Sequence, residues 1–375
     1  MEREDHRVPV TLLTGFLGAG KTTLLNHLIR DPEAGRIAVV MNELGDVGLD
    51  HDLIEEATEE TVLMQSGCLC CTIRGDLART MASLMARKTR GELAFGRVVI
   101  ETTGIADPGP ILHTMVVDDL IAPCYRMDGV VTLADAATGP RTLDEQFEAV
   151  NQIAMADLIV ITKADLVAPY ELERFEKRVA GINATARRVR AEHGRVPIGT
   201  LFGRSAMRAS VTTDDILEWL GTSKPQADPL AGLSGFGQTK PAPAVLPMSG
   251  AASPAHHDHR IGSASIDVTE PIPAEVFDFW LDTLIALKGP DILRIKGIVH
   301  LEGLEWPFVF HGVQHIFDAP VPLKSLSGGN TTSRVVVIAR DVEKSDLKAS
   351  LEALRMKPQG IRAEGLMVHT TENPF

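Results

Sequence analysis

Gly15-Phe16-Leu17-Gly18-Ala19-Gly20-Lys21-Thr22 is the stretch that decides the fold. It fits the phosphate-loop pattern G-x-x-x-x-G-K-[ST] at every position. Its flanks fit as well. The apolar run Val10–Thr14 leads in as a strand, and Thr23-Leu24-Leu25-Asn26-His27-Leu28-Ile29 leads out as a helix. Glycines let the backbone bend so that successive N–H groups face phosphate oxygens, and the helix N-terminus adds favourable charge. Gly15, Gly18, Ala19, Gly20 and Thr23 belong to this cradle. Lys21 reaches the β- and γ-phosphates as the catalytic cation, and Thr22 ligates Mg²⁺. The bland alternative, a chance Gly-rich turn, does not account for both flanks.

Further apolar, β-branched runs follow at Ile37–Asn42, Thr61–Gln65, Val98–Glu101, Val130–Ala134, Leu158–Thr162 and, more weakly, Val196–Phe202, with Val8–Thr14 ahead of the loop. Helical segments lie between them, as in Thr22–Arg30, Leu77–Lys88 and Leu143–Ala156. Short continuous apolar runs alternating with helical spacers predict a doubly wound, mostly parallel α/β sheet covered on both faces. Such sheets bind ligands outside the C-terminal ends of their strands.

Two more elements fall at that edge. Arg97-Val98-Val99-Ile100-Glu101-Thr102-Thr103-Gly104 is an apolar strand ending in a carboxylate, with glycine three residues on. Proteins that hydrolyse GTP usually carry D-x-x-G here, the acid holding the Mg²⁺ shell and the glycine amide sensing the γ-phosphate. Glu101 has a longer arm and is a catalytic candidate, acting through a water on either Mg²⁺ or the nucleophile. Leu158-Ile159-Val160-Ile161-Thr162-Lys163-Ala164-Asp165 ends in T-K-x-D, close to the guanine-reading N-K-x-D. Asp165 would accept two N–H bonds from guanine, a pair that adenine lacks, and the stem of Lys163 would cover the base. Thr162 stands where Asn is usual. The bound nucleotide is therefore expected to be GTP rather than ATP, because unpaired buried polar groups discriminate strongly.

Three of the four cysteines crowd into Gly67-Cys68-Leu69-Cys70-Cys71, and Cys124 stands alone as a structural thiol. Neighbours this close do not make a fold-stapling disulfide framework, and the cluster points to metal or redox chemistry. Thiolates suit Zn²⁺ and Cu⁺, and also accommodate Co²⁺; affinity order alone does not assign the metal. Cys68, Cys70 and Cys71 supply two or three ligands, so at least one comes from elsewhere. Glu43, just after Ile37–Asn42, is a candidate. An incomplete ligand set suits transfer better than permanent structure. Buried structural thiols are the alternative.

From residue 221 to 260 the composition turns to Pro, Gly, Ser and Ala and periodicity disappears, which marks a linker. It contains His256, His257 and His259, either metal-buffering or simply polar. The expected organisation is a nucleotide domain over 1–220, a linker over 221–260 and an α+β domain over 261–375. In the last, strands are expected near Ser263–Val268, Leu293–Leu301, Phe308–Ile316 and Arg334–Ile338, with helices at Pro273–Leu287 and Lys344–Arg355. The alternation Leu293-Arg294-Ile295-Lys296-Gly297-Ile298 predicts a half-exposed antiparallel sheet. His300, His311 and His315 fall within this pattern and read as packed or surface residues.

The chain has 375 residues, 44% of them hydrophobic, and a net charge of −13. The length suits two domains. The acidic balance argues against nucleic acid and anionic membranes as partners. The polar start Met1-Glu2-Arg3-Glu4-Asp5-His6-Arg7 lacks the apolar core of a signal peptide, and no stretch is long enough to span a bilayer, so a cytoplasmic, soluble protein is expected.

Together these residues resemble the CobW-type family of metal-handling P-loop GTPases, which includes zinc chaperones, a cobalamin-synthesis protein and nitrile hydratase activators. The matching positions are Gly15–Thr23, Asn42–Gly45, Gly67–Cys71, Glu101–Gly104 and Thr162–Asp165. Leu44 stands where the family has Phe, and Asn183-Ala184 is a candidate for its Asn-Pro segment near the base. Leu293–Gly297 and Val309–Val313 resemble the family's C-terminal domain. The resemblance implies slow GTP hydrolysis, metal held by the cysteines with help from Glu43, and delivery to a client metalloprotein. A metal buffer or assembly scaffold with structural nucleotide is the alternative, as is an insertion factor for a cobalt enzyme or cobalamin pathway. The client and the oligomeric state, a homo-oligomer included, are left open.

Overall fold

The computed structural model of this chain describes residues 5–42, 62–66, 73–203, 220, 260–314, 316–317, 320–324 and 332–357. Elements of the first part run, in order, β1 (Val8–Gly15), α1 (Lys21–Arg30), β2 (Ile37–Asn42), β3 (Val62–Ser66), α2 (Ile73–Thr89), β4 (Arg97–Thr102), α3 (Gly109–Val117), β5 (Tyr125–Asp135), α4 (Gly139–Glu145), α5 (Phe147–Ala154), β6 (Leu158–Thr162), α6 (Pro169–Ile182), β7 (Arg187–Arg190) and α7 (Ile198–Leu201). Among the described residues these strands form one seven-stranded sheet in the order β3-β2-β4-β1-β5-β6-β7. Every pairing is parallel.

Side chains alternate across a strand, so a sheet covered on both faces needs apolar residues at every position. Val98 and Ile100 accordingly join one core with Leu77, Met81 and Leu84 of α2, spaced to share a helix face. Val99 joins the other, with Leu24, Leu25 and Leu28 of α1. Two expectations need correction here. Val196–Phe202 is no strand: it holds the short helix α7, with Ile198, Leu201 and Phe202 buried in the second core. The seventh strand is the arginine-rich β7, exposed at most positions because it lies at the sheet edge. The single helix expected over Leu143–Ala156 is instead two, α4 and α5, interrupted at an extended Gln146.

The second part comprises β8 (Ile261–Val268), α8 (Ala274–Lys288), β9 (Ile292–Val299), β10 (Phe308–Val313), β11 (Ile316–Phe317), β12 (Val321–Pro322), β13 (Ser333–Arg340) and α9 (Lys344–Glu352). The strand order is β11-β10-β9-β13-β8, with β12 on β10, all antiparallel. One face packs on Phe277, Trp280 and Leu284 of α8 and Leu347 and Leu351 of α9. Phe277 meets Phe310 edge-on, with ring centres 5.3 Å apart, a favoured aromatic geometry.

The half-exposed sheet expected from Leu293–Ile298 is also corrected. All eight residues of β9 are buried. Its polar alternate residues face the nucleotide domain rather than solvent: Arg294 and Lys296 both contact Asp157, at the start of β6. Arg294 also donates to the carbonyl of Met155. Leu293, Val313 and Ile338 extend the first domain's core into the second. A pattern that reads as one wet face can mean a face wetted by another domain's charges.

Candidate nucleotide and metal site

The phosphate loop connects β1 to α1 through three glycines with positive φ: Gly15 at 144°, Gly18 at 72° and Gly20 at 98°. Gly15 also has no space for a side chain, since a Cβ there would stand 2.7 Å from the Leu133 carbonyl oxygen. Other residues would be strained at such angles, whereas glycine takes them freely. Left-handed turns of this kind aim consecutive amides into a common concavity, which suits an anion. The Lys21 ammonium folds back across the loop and donates to the carbonyl oxygens of Gly15, at 2.9 Å, and Phe16, at 3.4 Å. Thr22 is half-buried and Thr23 exposed at the start of α1.

The E-x-x-G and T-K-x-D elements come to the same edge, as their strand-end positions predict. Glu101 lies in register with Leu13 on β1 and is buried at 5% exposure. Beside it the Thr102 hydroxyl donates to that of Thr14 at 2.8 Å. Gly104 lies directly on the phosphate loop, where a Cβ would be 2.6 Å from the Leu17 nitrogen. On β6, the Thr162 hydroxyl donates to the Ala19 carbonyl at 2.8 Å. The residue that departs from Asn thus ties the T-K-x-D loop to the phosphate loop. Lys163, at φ 54°, donates to the Gly18 carbonyl at 2.8 Å and to Asp135 at 2.7 Å. Asp165 follows in a short 3₁₀ turn and is exposed.

Asp135 was not singled out by sequence. It ends β5 on the same edge, and a carboxylate closing an apolar strand was the available signal. Burial raises its pKa, but donors from Lys163, Thr138 and Ala137 outweigh this and hold it below the usual carboxylate value. Asn183, by contrast, is no base contact. It is fully buried and donates to the carbonyls of Ile153, Ala154 and Ala156, closing the C-terminal end of α5 on the sheet edge away from the nucleotide loops.

The candidate metal ligands Glu43, Cys68, Cys70 and Cys71 lie outside the described residues, as do His256, His257, His259 and His315. The strands that lead to them are described. β2 ends at Asn42 and β3 at Ser66, which are register partners, and Asn42 also pairs with Thr102 of β4. Glu43 and the cysteines therefore follow in sequence from strand ends on the edge that carries Glu101. Among the described residues no three His, Cys, Asp or Glu side chains gather to hold a metal. Cys124 is partly buried against the first core, as a structural thiol should be, and His300 and His311 lie in the second domain's sheet region rather than on the nucleotide edge.

Residues 9–190 match the CobW/HypB/UreG nucleotide-binding domain, and residues 261–355 match the cobalamin synthesis protein cobW C-terminal domain. The chain is also 32% identical over 335 residues to zinc-regulated GTPase metalloprotein activator 1 of Schizosaccharomyces pombe, covering 83% of this chain and 76% of that one. The chain belongs to the CobW family. Another member similar to it is the zinc chaperone YjiA of Escherichia coli, 29% identical over 348 residues, with 93% of this chain and 99% of YjiA covered. The crystal structure of Zn(II)-bound YjiA GTPase superposes with a TM-score of 0.68 at 25% identity over the same 93% and 99%. The CobW-type arrangement of a parallel nucleotide-binding sheet followed by an antiparallel C-terminal domain is thus the arrangement seen here. No helix among the described residues is long and apolar enough to cross a membrane.

Proposed function

We propose that this CobW-family protein is a cytoplasmic, GTP-hydrolysing metallochaperone that binds Zn²⁺, or a similar transition metal such as Co²⁺, and passes it to a client metalloprotein. The observation that carries the reading is the convergence of the phosphate loop, Glu101–Gly104 and Thr162–Asp165 on one sheet edge, beside the strand ends that lead to Glu43 and Cys68. It is a GTPase. Relatives named zinc chaperone and zinc-regulated GTPase support both halves of the function.

The roles follow from position. Gly15, Gly18, Ala19 and Gly20 present backbone amides to the phosphates, with Thr23 extending the cradle. Lys21 exchanges its carbonyl partners for the β- and γ-phosphates and stabilises charge there. Thr22 would hold Mg²⁺, which would supply charge neutralisation at the phosphates, and Glu101 would act through its water shell or on the attacking water. The Gly104 amide senses the γ-phosphate. Lys163 covers the base and Asp165 reads guanine. Cys68, Cys70 and Cys71 bind the cargo metal as thiolates, with Glu43 completing the site.

Zinc titration of the purified protein, with Cys70→Ser and Cys71→Ser in parallel and GTP turnover measured on each, tests the assignment. Loss of zinc binding in both variants, with phosphate release retained by the wild type, is the expected result. Undiminished zinc binding in the two variants, or no turnover above background with metal and client present, would overturn it.

A further inference from the structure

We propose that Gln152 on α5 is a positioning residue for GTP hydrolysis, one that holds the γ-phosphate-sensing loop against the phosphate loop. The inference rests on the nucleotide reading of Gly104 given above. The segment after β4 turns tightly, closed by the Ala106 amide donating to the Thr103 carbonyl at 3.1 Å. Gly104 and Ile105 form the tip. The Gln152 side-chain amide donates twice into this turn, to the Gly104 carbonyl at 3.1 Å and to the Ala106 carbonyl at 3.0 Å. The two bonds bracket Ile105 and hold the Gly104–Ile105 and Ala106–Asp107 peptide planes. Its neighbour Asn151 reaches the next residue along, donating to Asp107 at 3.3 Å, and Asp107 in turn accepts from the Gly109 amide at the start of α3.

Two features separate this clamp from ordinary core filling. Gln152 is buried at 1% exposure and Asn151 at 5%. Among the described residues, Gln152 Oε1 and Asn151 Oδ1 are both buried without a hydrogen-bond partner. Burying an unpartnered carbonyl is unfavourable, and an apolar side chain of the same size would avoid it, so the amides are costly as packing. What they accomplish is to aim N–H groups at the loop. The clamp is also firmly founded. The Gln152 carbonyl accepts from Thr132 on β5 at 2.9 Å, Asn183 closes the end of α5, and Arg294 of the second domain holds Met155 just beyond it.

Gly104 packs so closely on Leu17 that a side chain there would clash, and Gln152 holds its carbonyl from the other side. A preset donor is worth most where charge develops during reaction. Loss of the clamp should therefore lower kcat and GTP binding while leaving GDP, which has no γ-phosphate, unaffected.

The test uses the full chain with Mg²⁺. Gln152→Met and Gln152→Leu both remove the amide donors and leave an apolar side chain of similar volume, so either one that folds decides the matter. The expected outcome is a kcat lowered about tenfold or more, weaker binding of a non-hydrolysable GTP analogue, and GDP affinity within about twofold of wild type. An unchanged kcat, or GDP and analogue affinities that fall together with thermal stability, would overturn the positioning role. Lys21→Ala is measured alongside. Nucleotide binding that survives it would overturn the reading of the site itself, whereas its loss together with a normal Gln152→Met would overturn only the clamp.

Discussion

The two edges of the parallel sheet each set a carboxylate against a lysine, and the surroundings of the two pairs differ. At the nucleotide edge, Asp135 meets Lys163 at 2.7 Å, and the lysine side chain keeps 37% exposure. Its other partner is the Gly18 carbonyl of the phosphate loop. At the opposite edge, Asp157 meets both Arg294 and Lys296, and none of the three side chains exceeds 4% exposure. The Val130 amide donates to the same carboxylate at 2.9 Å. Burial alone would raise the Asp157 pKa, but the charges of Arg294 and Lys296, with His311 further off, hold it well below the usual carboxylate range. Burial pushes Lys296 down to about 8, with Asp157 opposing and Arg294 adding to the shift. One edge keeps its cations where a ligand can recruit them. The other seals them away to join two domains.

The largest effect is expected at the sealed edge. Asp157→Asn leaves two buried cations without their carboxylate, and removing one partner of a buried pair costs about 3–5 kcal/mol. Denaturant unfolding should show that loss, and a change under about 1 kcal/mol would mean that water reaches the cluster. At the open edge the effect should appear in ligand choice instead. Asp165→Asn should move base preference from guanine towards xanthine by about 100-fold, since a site built to pair polar groups rejects the mismatch; competition binding with the two nucleotides measures it. Thr162→Val leaves the Ala19 carbonyl without its donor, and about 1–2 kcal/mol should be lost, seen as faster nucleotide release.

The smallest effect concerns pH. Lys296 has a folded pKa of about 8 against an ordinary 10.5. Between those values the unfolded chain holds a proton that the folded chain has lost, so this residue makes stability rise with pH across that window. Lys296→Met removes the buried charge and leaves Arg294 to balance Asp157. It should be neutral or stabilising by about 1 kcal/mol below pH 8. Its advantage over wild type should shrink as the pH rises towards 10, in melting temperatures taken side by side.

The same contrast explains what could be read from sequence. The phosphate loop, Glu101–Gly104 and Thr162–Asp165 are local patterns, each joined to its own strand, and their shared edge follows from strand polarity. Asp157 and Arg294 stand 137 residues apart, and no local pattern links them. Gln152 lies in a stretch that reads only as helical, Asn183 reads as a candidate near the base, and the partners of both are carbonyls, which every residue has. β7 escaped notice because an edge strand need not be apolar. Thr162 was legible as a departure from Asn, but its bond to Ala19 was not.

Nucleotide and metal, on this reading, share one switching edge. Zinc affinity measured with a non-hydrolysable GTP analogue and with GDP tests it directly. Coupling between the sites predicts tighter zinc binding in the GTP-analogue state, by about 5- to 150-fold, with zinc tightening the analogue by the same factor. Equal zinc affinity in the two nucleotide states would contradict the claim.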